Sequence, residues 1–145
     1  MKKRGDKLLL EDIIIAIEKV LEYLREIDEE TFKSNDLLSS AVERKYEIIG
    51  EAASKLSDDI KQKTKVIPWH KLTAIRNIVI HGYFVVDLNI LYYTSKNELP
   101  DLHRRLVEIL HNIDYWDLEN PELKKYTLIS WWIIFYREVG WKSIL

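Results

Sequence analysis

The sequence contains no cysteine, only four glycines and only three prolines among its 145 residues. Without cysteine, the chain cannot build a disulfide scaffold, a thiolate zinc site or a cysteine nucleophile. An all-β sandwich needs many tight turns that use glycine and proline, so their scarcity favours long helices. The length, with 47% hydrophobic and 32% charged residues, is typical of one globular domain.

Long apolar runs are also missing. The longest run of apolar and aromatic residues in the C-terminal part covers 131–136, whereas a membrane-spanning helix needs about 20 residues. Near the N-terminus, the apolar residues 8–10 follow a basic start but are interrupted by Glu11 and Asp12, so we expect no export signal. The sequence therefore predicts a cytoplasmic protein that does not associate with membranes.

Helical periodicity is clear in the first half of the chain. Apolar residues spaced three and four apart predict one helix over 7–28 and a second over 35–56, with Asn35 as a candidate N-cap. Gly50 lies inside the second helix, where it costs about 1 kcal/mol against alanine. We expect it to permit the close approach of a neighbouring helix. The polar stretch 57–67 is interpreted as a connector.

The positions of proline, glycine and aspartate predict where the later helices begin and end. Pro68 suits the first turn of a third helix, and Gly82 is a candidate stop. Asp87 can cap a fourth helix, which Pro100 then kinks or restarts. These elements predict an all-α fold, an up-down bundle of four to five helices that occupies residues 1–115.

The remaining residues, 116–145, differ in composition and form a predicted C-terminal aromatic extension of unknown role. Residues 126–139 are rich in β-branched and aromatic types, so a strand is possible there. The aromatic side chains could complete the core of the bundle, form an interface with a second chain, or lie in a poorly ordered tail. Four of the five tryptophans lie in this extension: Trp116, Trp131, Trp132 and Trp141.

Four polar or aromatic residues cluster near the predicted end of the third helix: Arg76, Asn77, His81 and Tyr83. On a helix, Asn77 and His81 are one turn apart and share a face. Arg76 and His81 are separated by about 140°. A single straight helix therefore does not bring Arg76 and His81 together. Either the helix end relaxes near Gly82, or a symmetry-related copy supplies half of the site.

This set of side chains permits cleavage of a phosphodiester without a metal. Imidazole can accept or donate a proton near neutral pH, and arginine can bind a phosphate and offset its developing charge. The 2′-hydroxyl of RNA would be the nucleophile, and Tyr83 could stack on a base or carry a modification. The plainer alternative is a helix-capping His81 and an Arg76 in a surface ion pair. No cofactor motif or metal-ligand spacing is present, so neither is predicted.

Two further sets of charged residues border this region. Arg44, Glu47 and Glu51 form a stripe on the second helix, interpreted as a salt-bridged outer face. In the alternative, Glu51 points into the site and orients Arg76 or His81.

The net charge of −2 hides an uneven distribution. From 60 to 86 the chain has no acidic residue, while the rest of the chain carries a net charge of −7. We expect the basic residues of this stretch to bind RNA phosphates in a salt-dependent manner. They are Lys61, Lys63, Lys65 and Lys71, together with Arg76.

The same region resembles the HepT-like branch of the HEPN superfamily. The family signature is an arginine, four to six residues, a histidine, any residue and a tyrosine, and it is complete here as Arg76, His81 and Tyr83. The resemblance spans about residues 8–113. It is strengthened by flanking pieces at 47–52 (Glu-Ile-Ile-Gly-Glu-Ala), 67–69 (Ile-Pro-Trp), 86–87 (Val-Asp) and 99–100 (Leu-Pro).

The resemblance implies the toxin of a type VII-like toxin–antitoxin system that acts as a metal-independent endoribonuclease. Two protomers would pair so that both motifs line one cleft, with Arg76 and His81 in catalysis and Asn77 in support. Tyr83 would be the tyrosine that a MntA-type minimal nucleotidyltransferase antitoxin modifies with AMP. The aromatic extension is a departure from the family core.

Two alternatives to this interpretation stay open. One is a non-catalytic helical module that binds a partner protein through the tryptophan-rich extension. The other is a nucleotide-binding regulator that uses Arg76 to hold phosphate.

Overall fold

The structure is a computed structural model that describes residues 5–81 and 86–117, without the side chains of 78–81 and 114–117. Within these residues it is all-α, as predicted, with no strand. The seven helices are α1 (Asp6–Tyr23), α2 (Glu29–Ser34), α3 (Asp36–Lys55), α4 (Asp58–Lys63), α5 (Trp69–His81), α6 (Leu88–Asn97) and α7 (Leu99–Asp117).

The chain divides into two compact units, Met1–Leu110 and His111–Leu145. The first unit contains α1 to α6 and most of α7. In the second unit the structure describes only the last turns of α7, to Asp117. Within the described ranges, no helix is both long enough and apolar enough to cross a membrane.

The helix predicted over 7–28 is shorter than expected, because α1 ends at Tyr23. A turn follows in which Glu26 has a positive φ of 59°, a backbone conformation that is incompatible with a continuing right-handed helix. Asp28 then caps α2, and its carboxylate accepts a hydrogen bond from the Thr31 amide at 2.7 Å. The apolar spacing extends beyond the end of α1 because Leu24, which lies in the turn after the helix, is also buried.

The stretch 57–67 is also more ordered than a simple connector, since it contains α4. Ser57 caps this helix by accepting a hydrogen bond from the Ile60 amide. After α4, Thr64 is buried, and its hydroxyl accepts a hydrogen bond from the indole of Trp69 at 3.0 Å. This contact connects the turn after α4 to the first residue of α5.

The predicted helix starts near Asp87 and Pro100 are confirmed. The Asp87 carboxylate accepts hydrogen bonds from the Asn89 and Ile90 amides at the start of α6. Pro100 lies in the first turn of α7, one residue after its start at Leu99, so it restarts the helix rather than kinking it. The described residues form seven helices instead of four to five, because α2 and α4 lie between the helices predicted from the apolar period and α7 is separate from α6.

The core of the first unit lies around α3, which contacts α1 and α5 most extensively. The α3 side chains Val42, Tyr46 and Ile49 are buried. They occur at i, i+4 and i+7, the spacing of one helix face. Buried residues of α1 (Leu10, Ile13, Ile17 and Val20) and Leu72 of α5 supply the facing apolar surface.

The predictions for the extension, including a strand over 126–139, lie outside the described residues. The division between a domain at 1–115 and an extension at 116–145 stays a prediction.

Candidate functional site

The site begins with the contact between α3 and α5 at Gly50. A Cβ atom added at Gly50 would overlap the Cβ of Arg76 and would lie 2.9 Å from the carbonyl oxygen of Leu72. Only a residue without a side chain fits between two helix backbones at this distance. The predicted close approach at Gly50 is therefore confirmed, and the neighbouring residue is Arg76.

The side chain of Arg76 lies along α3 and is fastened there by two contacts. Its Nη1 atom is 3.0 Å from Oε2 of Glu51, and it donates a hydrogen bond of 3.3 Å to the Ser54 hydroxyl. Glu51 and Ser54 are three residues apart on α3, so both face the same neighbour. The side chain of Arg76 retains 27% of its exposure. The guanidinium is thus held in place with part of its surface open to solvent.

The Nε atom of Arg76 is in a different environment. It is buried and has no hydrogen-bond partner among the side chains that the structure describes. A buried donor without a partner costs about 1–3 kcal/mol, and such groups are rare in native structures. The local packing thus favours a fixed position of Arg76 at some expense in stability.

The carboxylate of Glu51 is shared between two cations. Oε1 lies 3.0 Å from Nζ of Lys55, while Oε2 contacts Arg76. The hydrogen bond and charge of Lys55, followed by the charge of Arg76, hold the pKa of the Glu51 carboxyl below its usual value against the opposing effect of burial. Glu51 therefore stays ionised at neutral and mildly acidic pH, and its ion pairs are lost only as the pH falls through this lowered pKa.

The stripe on α3 therefore divides into two parts. Arg44 and Glu47 form the expected outer ion pair, at 2.6 Å. Glu51 instead reaches Arg76, as in the alternative interpretation of the sequence. Its predicted role in support of catalysis stays a prediction.

The backbone of α5 is helical from Arg76 to His81, the last residue of the helix. The positions of Asn77 and His81 are accordingly one turn apart, while those of Arg76 and His81 differ by about 140°. The helix does not relax between them. The Asn77 side chain is exposed, and the His81 side chain, Gly82 and Tyr83 lie outside the described part.

The predicted RNA-binding lysines do not all lie with Arg76. Lys63 contacts Asp59, one turn earlier on α4, at 3.0 Å. Lys65 is exposed in the turn after α4. Lys61 is half-buried on α4. Lys71 is exposed on α5, five residues before Arg76 and so about 140° around the helix from it.

Lys71 borders a cavity of about 520 Å³ instead. Its wall is mainly apolar and includes Leu72 and Ile75 of α5 and Leu102 of α7. It is thus a separate feature from the polar contacts of Arg76 with α3.

Two residues near Arg76 were not predicted from the sequence: Ser54, which accepts a hydrogen bond from Arg76, and Lys55, which forms an ion pair with Glu51. They follow Glu51 by three and four residues, a spacing at which helix side chains meet. That signal was present in the sequence. It identifies contacts within α3 but not the helix that packs on them.

Comparison with known proteins assigns most of the chain to one family. A family model described as ribonuclease HepT-like matches residues 13–109, which include Glu51 and the signature residues Arg76, His81 and Tyr83.

Individual relatives agree with this match. The chain is 42% identical over 100 residues to "Probable ribonuclease HepT" of Thermococcus cleftensis, covering 69% of this chain and 91% of that protein. It is 36% identical over 110 residues to "Putative RNase MJ1380" of Methanocaldococcus jannaschii, covering 76% of this chain and all of that protein. No solved structure matches. The chain belongs to the HepT-like ribonuclease family of the HEPN superfamily.

Proposed function

We propose that the protein is a metal-independent endoribonuclease and the toxin of a toxin–antitoxin pair. The observation that carries the proposal is the placement of Arg76, fastened to α3 by Glu51 and Ser54 and still partly exposed. A preorganised cation of this kind can stabilise the charge that develops on a phosphate during cleavage. Relatives named as ribonucleases support RNA as the substrate.

In the proposed mechanism, the 2′-hydroxyl of RNA attacks the adjacent phosphorus atom. His81 accepts the proton of that hydroxyl, and Arg76 neutralises the negative charge on the phosphoryl oxygens. Asn77, one turn before His81, would support the imidazole. The bond between phosphorus and the 5′-oxygen then breaks, which leaves a 2′,3′-cyclic phosphate. The 5′-oxygen departs with a proton from the protonated imidazole of His81 or from water.

Cleavage of a labelled RNA by purified protein tests this directly. We expect wild-type protein to cleave in the presence of EDTA, and Arg76→Ala and His81→Ala to lose about 10²-fold or more. Lys19→Gln is a matched control, since Lys19 is an exposed, ion-paired lysine of α1, and it should cleave normally. Cleavage that stops with EDTA, or that survives both alanine substitutions, would contradict the mechanism.

The helical backbone between Arg76 and His81 supports a dimeric site, because one α5 presents the two positions in different directions. We therefore propose that Arg76 of one protomer acts with His81 of its partner. Co-expression of Arg76→Ala and His81→Ala chains with different tags tests the arrangement. Heterodimers should regain activity, since one of their two sites then has both groups intact. Heterodimers as inactive as either parent would show that each site uses one chain only.

We further propose that a MntA-type minimal nucleotidyltransferase neutralises the toxin by transferring AMP from ATP to the hydroxyl of Tyr83, with release of pyrophosphate. The new phosphodiester places bulk and negative charge two residues from His81, where an RNA phosphate must enter. Intact mass measured with and without the nucleotidyltransferase should differ by multiples of AMP, together with loss of cleavage. Tyr83→Phe should show neither change. A mass shift that persists in Tyr83→Phe would place the modification elsewhere.

A further inference from the structure

Lys55 and Arg76 share an acidic partner in the structure, although the two residues are distant in the sequence. Both contact the carboxylate of Glu51, each at 3.0 Å and each on a different oxygen. Two hydrogen-bond lengths and the width of one carboxylate limit the separation of the two cationic nitrogens to about 8 Å. The surface of α3 next to Arg76 therefore carries a second cation.

The side chain of Lys55 is well placed to meet a ligand from solvent. It is 58% exposed, more than either Glu51 at 46% or Arg76 at 27%. An exposed lysine–glutamate pair contributes little to stability, about 0–1 kcal/mol, so an incoming phosphate can replace the carboxylate at small cost. Glu51 restrains the lysine without burying it.

Two lysines of the basic stretch 60–86 are placed differently. Lys71 lies about 140° around α5 from Arg76 and borders the apolar cavity. Lys63 is one turn from Asp59 and contacts it. The tertiary contact of Arg76 with Glu51 thus points to Lys55, which pairs with Glu51 within α3 and lies outside the basic stretch 60–86.

We propose that Lys55 is a phosphate-binding residue of the ribonuclease site, held beside Arg76 by the shared carboxylate of Glu51. The inference rests on the proposed ribonuclease function and extends it to one substrate contact. Arg76 holds the phosphate that is cleaved, and Lys55 binds a neighbouring phosphate of the same strand. Lysine suits this role because it binds phosphate as a point charge and needs no fixed orientation.

Fluorescence anisotropy with a short 2′-O-methyl oligoribonucleotide tests the proposal without cleavage, because the probe has no free 2′-hydroxyl. Full-length wild-type protein, Lys55→Gln and Lys55→Arg are compared over a series of salt concentrations. We expect Lys55→Gln to weaken binding several-fold and to lower the slope of log affinity against log salt by about 0.7, the value for one phosphate contact on a single strand. Lys55→Arg should keep wild-type values.

Lys19→Gln is the matched control, since Lys19 also pairs with a glutamate, Glu22, on a helix surface. Lys55 is two residues before Ser57, which contacts Asp6 at the N-terminal end of α1. Lys19 lies near the C-terminal end of α1 and is therefore distant from Lys55. Its affinity and salt slope should match those of wild type.

Single-turnover cleavage of unmodified RNA separates binding from positioning. A phosphate contact should raise the RNA concentration needed for half-maximal rate in Lys55→Gln and leave the rate at saturation nearly unchanged. A lower saturated rate with an unchanged salt slope would show that Lys55 acts only through Glu51 and Arg76, which overturns the proposal. The proposal is also overturned if Lys55→Gln binds the probe like the control while wild type cleaves RNA. In that case the ribonuclease function still stands. If wild type neither binds nor cleaves RNA, both proposals fail.

Discussion

Gly50 is the residue on which the close approach of α3 and α5 depends. Its absent side chain leaves room for the Cβ of Arg76 and the carbonyl of Leu72. Any larger residue would have to push α5 away or shift the anchor of Arg76 on Glu51. Packing and site geometry are thus connected at one position.

Gly50→Ala is expected to destabilise the protein by about 1–3 kcal/mol, the usual cost of overpacking. This outcome opposes helix propensity, which alone would favour alanine by about 1 kcal/mol. Denaturant unfolding followed by circular dichroism measures it. Gly5→Ala is a control in which an added Cβ meets nothing within 4 Å. A Gly50→Ala variant more stable than wild type would contradict the close approach.

Glu26 has the opposite problem, a side chain where glycine would suit the backbone. Its φ of 59° lies in the left-handed region, which costs a non-glycine residue about 1–2 kcal/mol. Relief of this cost should stabilise Glu26→Gly, but only by up to about 1 kcal/mol, because glycine loses more conformational freedom on folding and this offsets part of the gain. Thermal unfolding checks this. The β-branched Glu26→Val should destabilise, and a reversed order of the two variants would show that the turn is not strained.

Glu51 is expected to position Arg76 without touching the substrate. In Glu51→Gln the carboxylate that holds Nη1 loses its charge, so the saturated cleavage rate should fall about tenfold to a hundredfold. Affinity for the 2′-O-methyl probe should not fall, because a negative charge beside two cations is removed. Glu47→Gln, which affects only the outer pair with Arg44, is the control. Equal cleavage rates for Glu51→Gln and Glu47→Gln would show that Glu51 does not position Arg76.

At the scale of elements, the long helices were predictable and the short ones were not. The apolar period defines α3 over five turns, and its predicted bounds of 35–56 agree closely with Asp36–Lys55. The helices α2 and α4 have six residues each, too few for a period of 3.6 to repeat. Asp28, the cap of α2, was included in the helix predicted over 7–28, and Ser57, the cap of α4, begins the polar stretch that was interpreted as a connector.

The site was predictable to a similar extent. The signature identified Arg76, because it is a pattern along the chain. The contacts of Arg76 with Ser54 and Glu51 depend on how α5 packs across α3, and a local pattern contains no information on packing. For the same reason, the predicted phosphate-binding lysines are those near Arg76 in the sequence. Lys55, which shares the Glu51 carboxylate with Arg76, belongs to another helix and was not predicted.

The starts of α1 and α4 are connected by one pair of side chains. The Asp6 carboxylate accepts hydrogen bonds from the Ser57 amide at 2.9 Å and from its hydroxyl at 2.5 Å, and that hydroxyl also caps α4. Asp6→Ala and Ser57→Ala should each cost about 1–2 kcal/mol.

A double-mutant cycle measures the connection between these two helices. The two losses should not add, and a coupling energy of about 1 kcal/mol is expected because the side chains share their hydrogen bonds. Ser40→Ala, at an exposed position of α3, should change stability little. Additive losses would mean that the two helix starts are stabilised independently.

At the scale of the whole molecule, the family core and the compact first unit nearly coincide. The family model ends at residue 109, and the first unit ends at Leu110. A relative from Methanocaldococcus jannaschii is matched over its full length by 110 residues of this chain. A family member can therefore consist of this core without a counterpart of the aromatic extension.

We accordingly expect a chain shortened after Asp117, which keeps α7 whole, to fold and to retain most of its ribonuclease activity. Circular dichroism should show cooperative thermal unfolding, and the labelled RNA should be cleaved in the presence of EDTA. The same shortened chain with His81→Ala must be inactive, which excludes a contaminating nuclease. Aggregation or loss of the cooperative transition would instead show that the tryptophans of the extension complete the core. A folded chain that still cleaves RNA but no longer binds its nucleotidyltransferase would assign the extension to partner recognition.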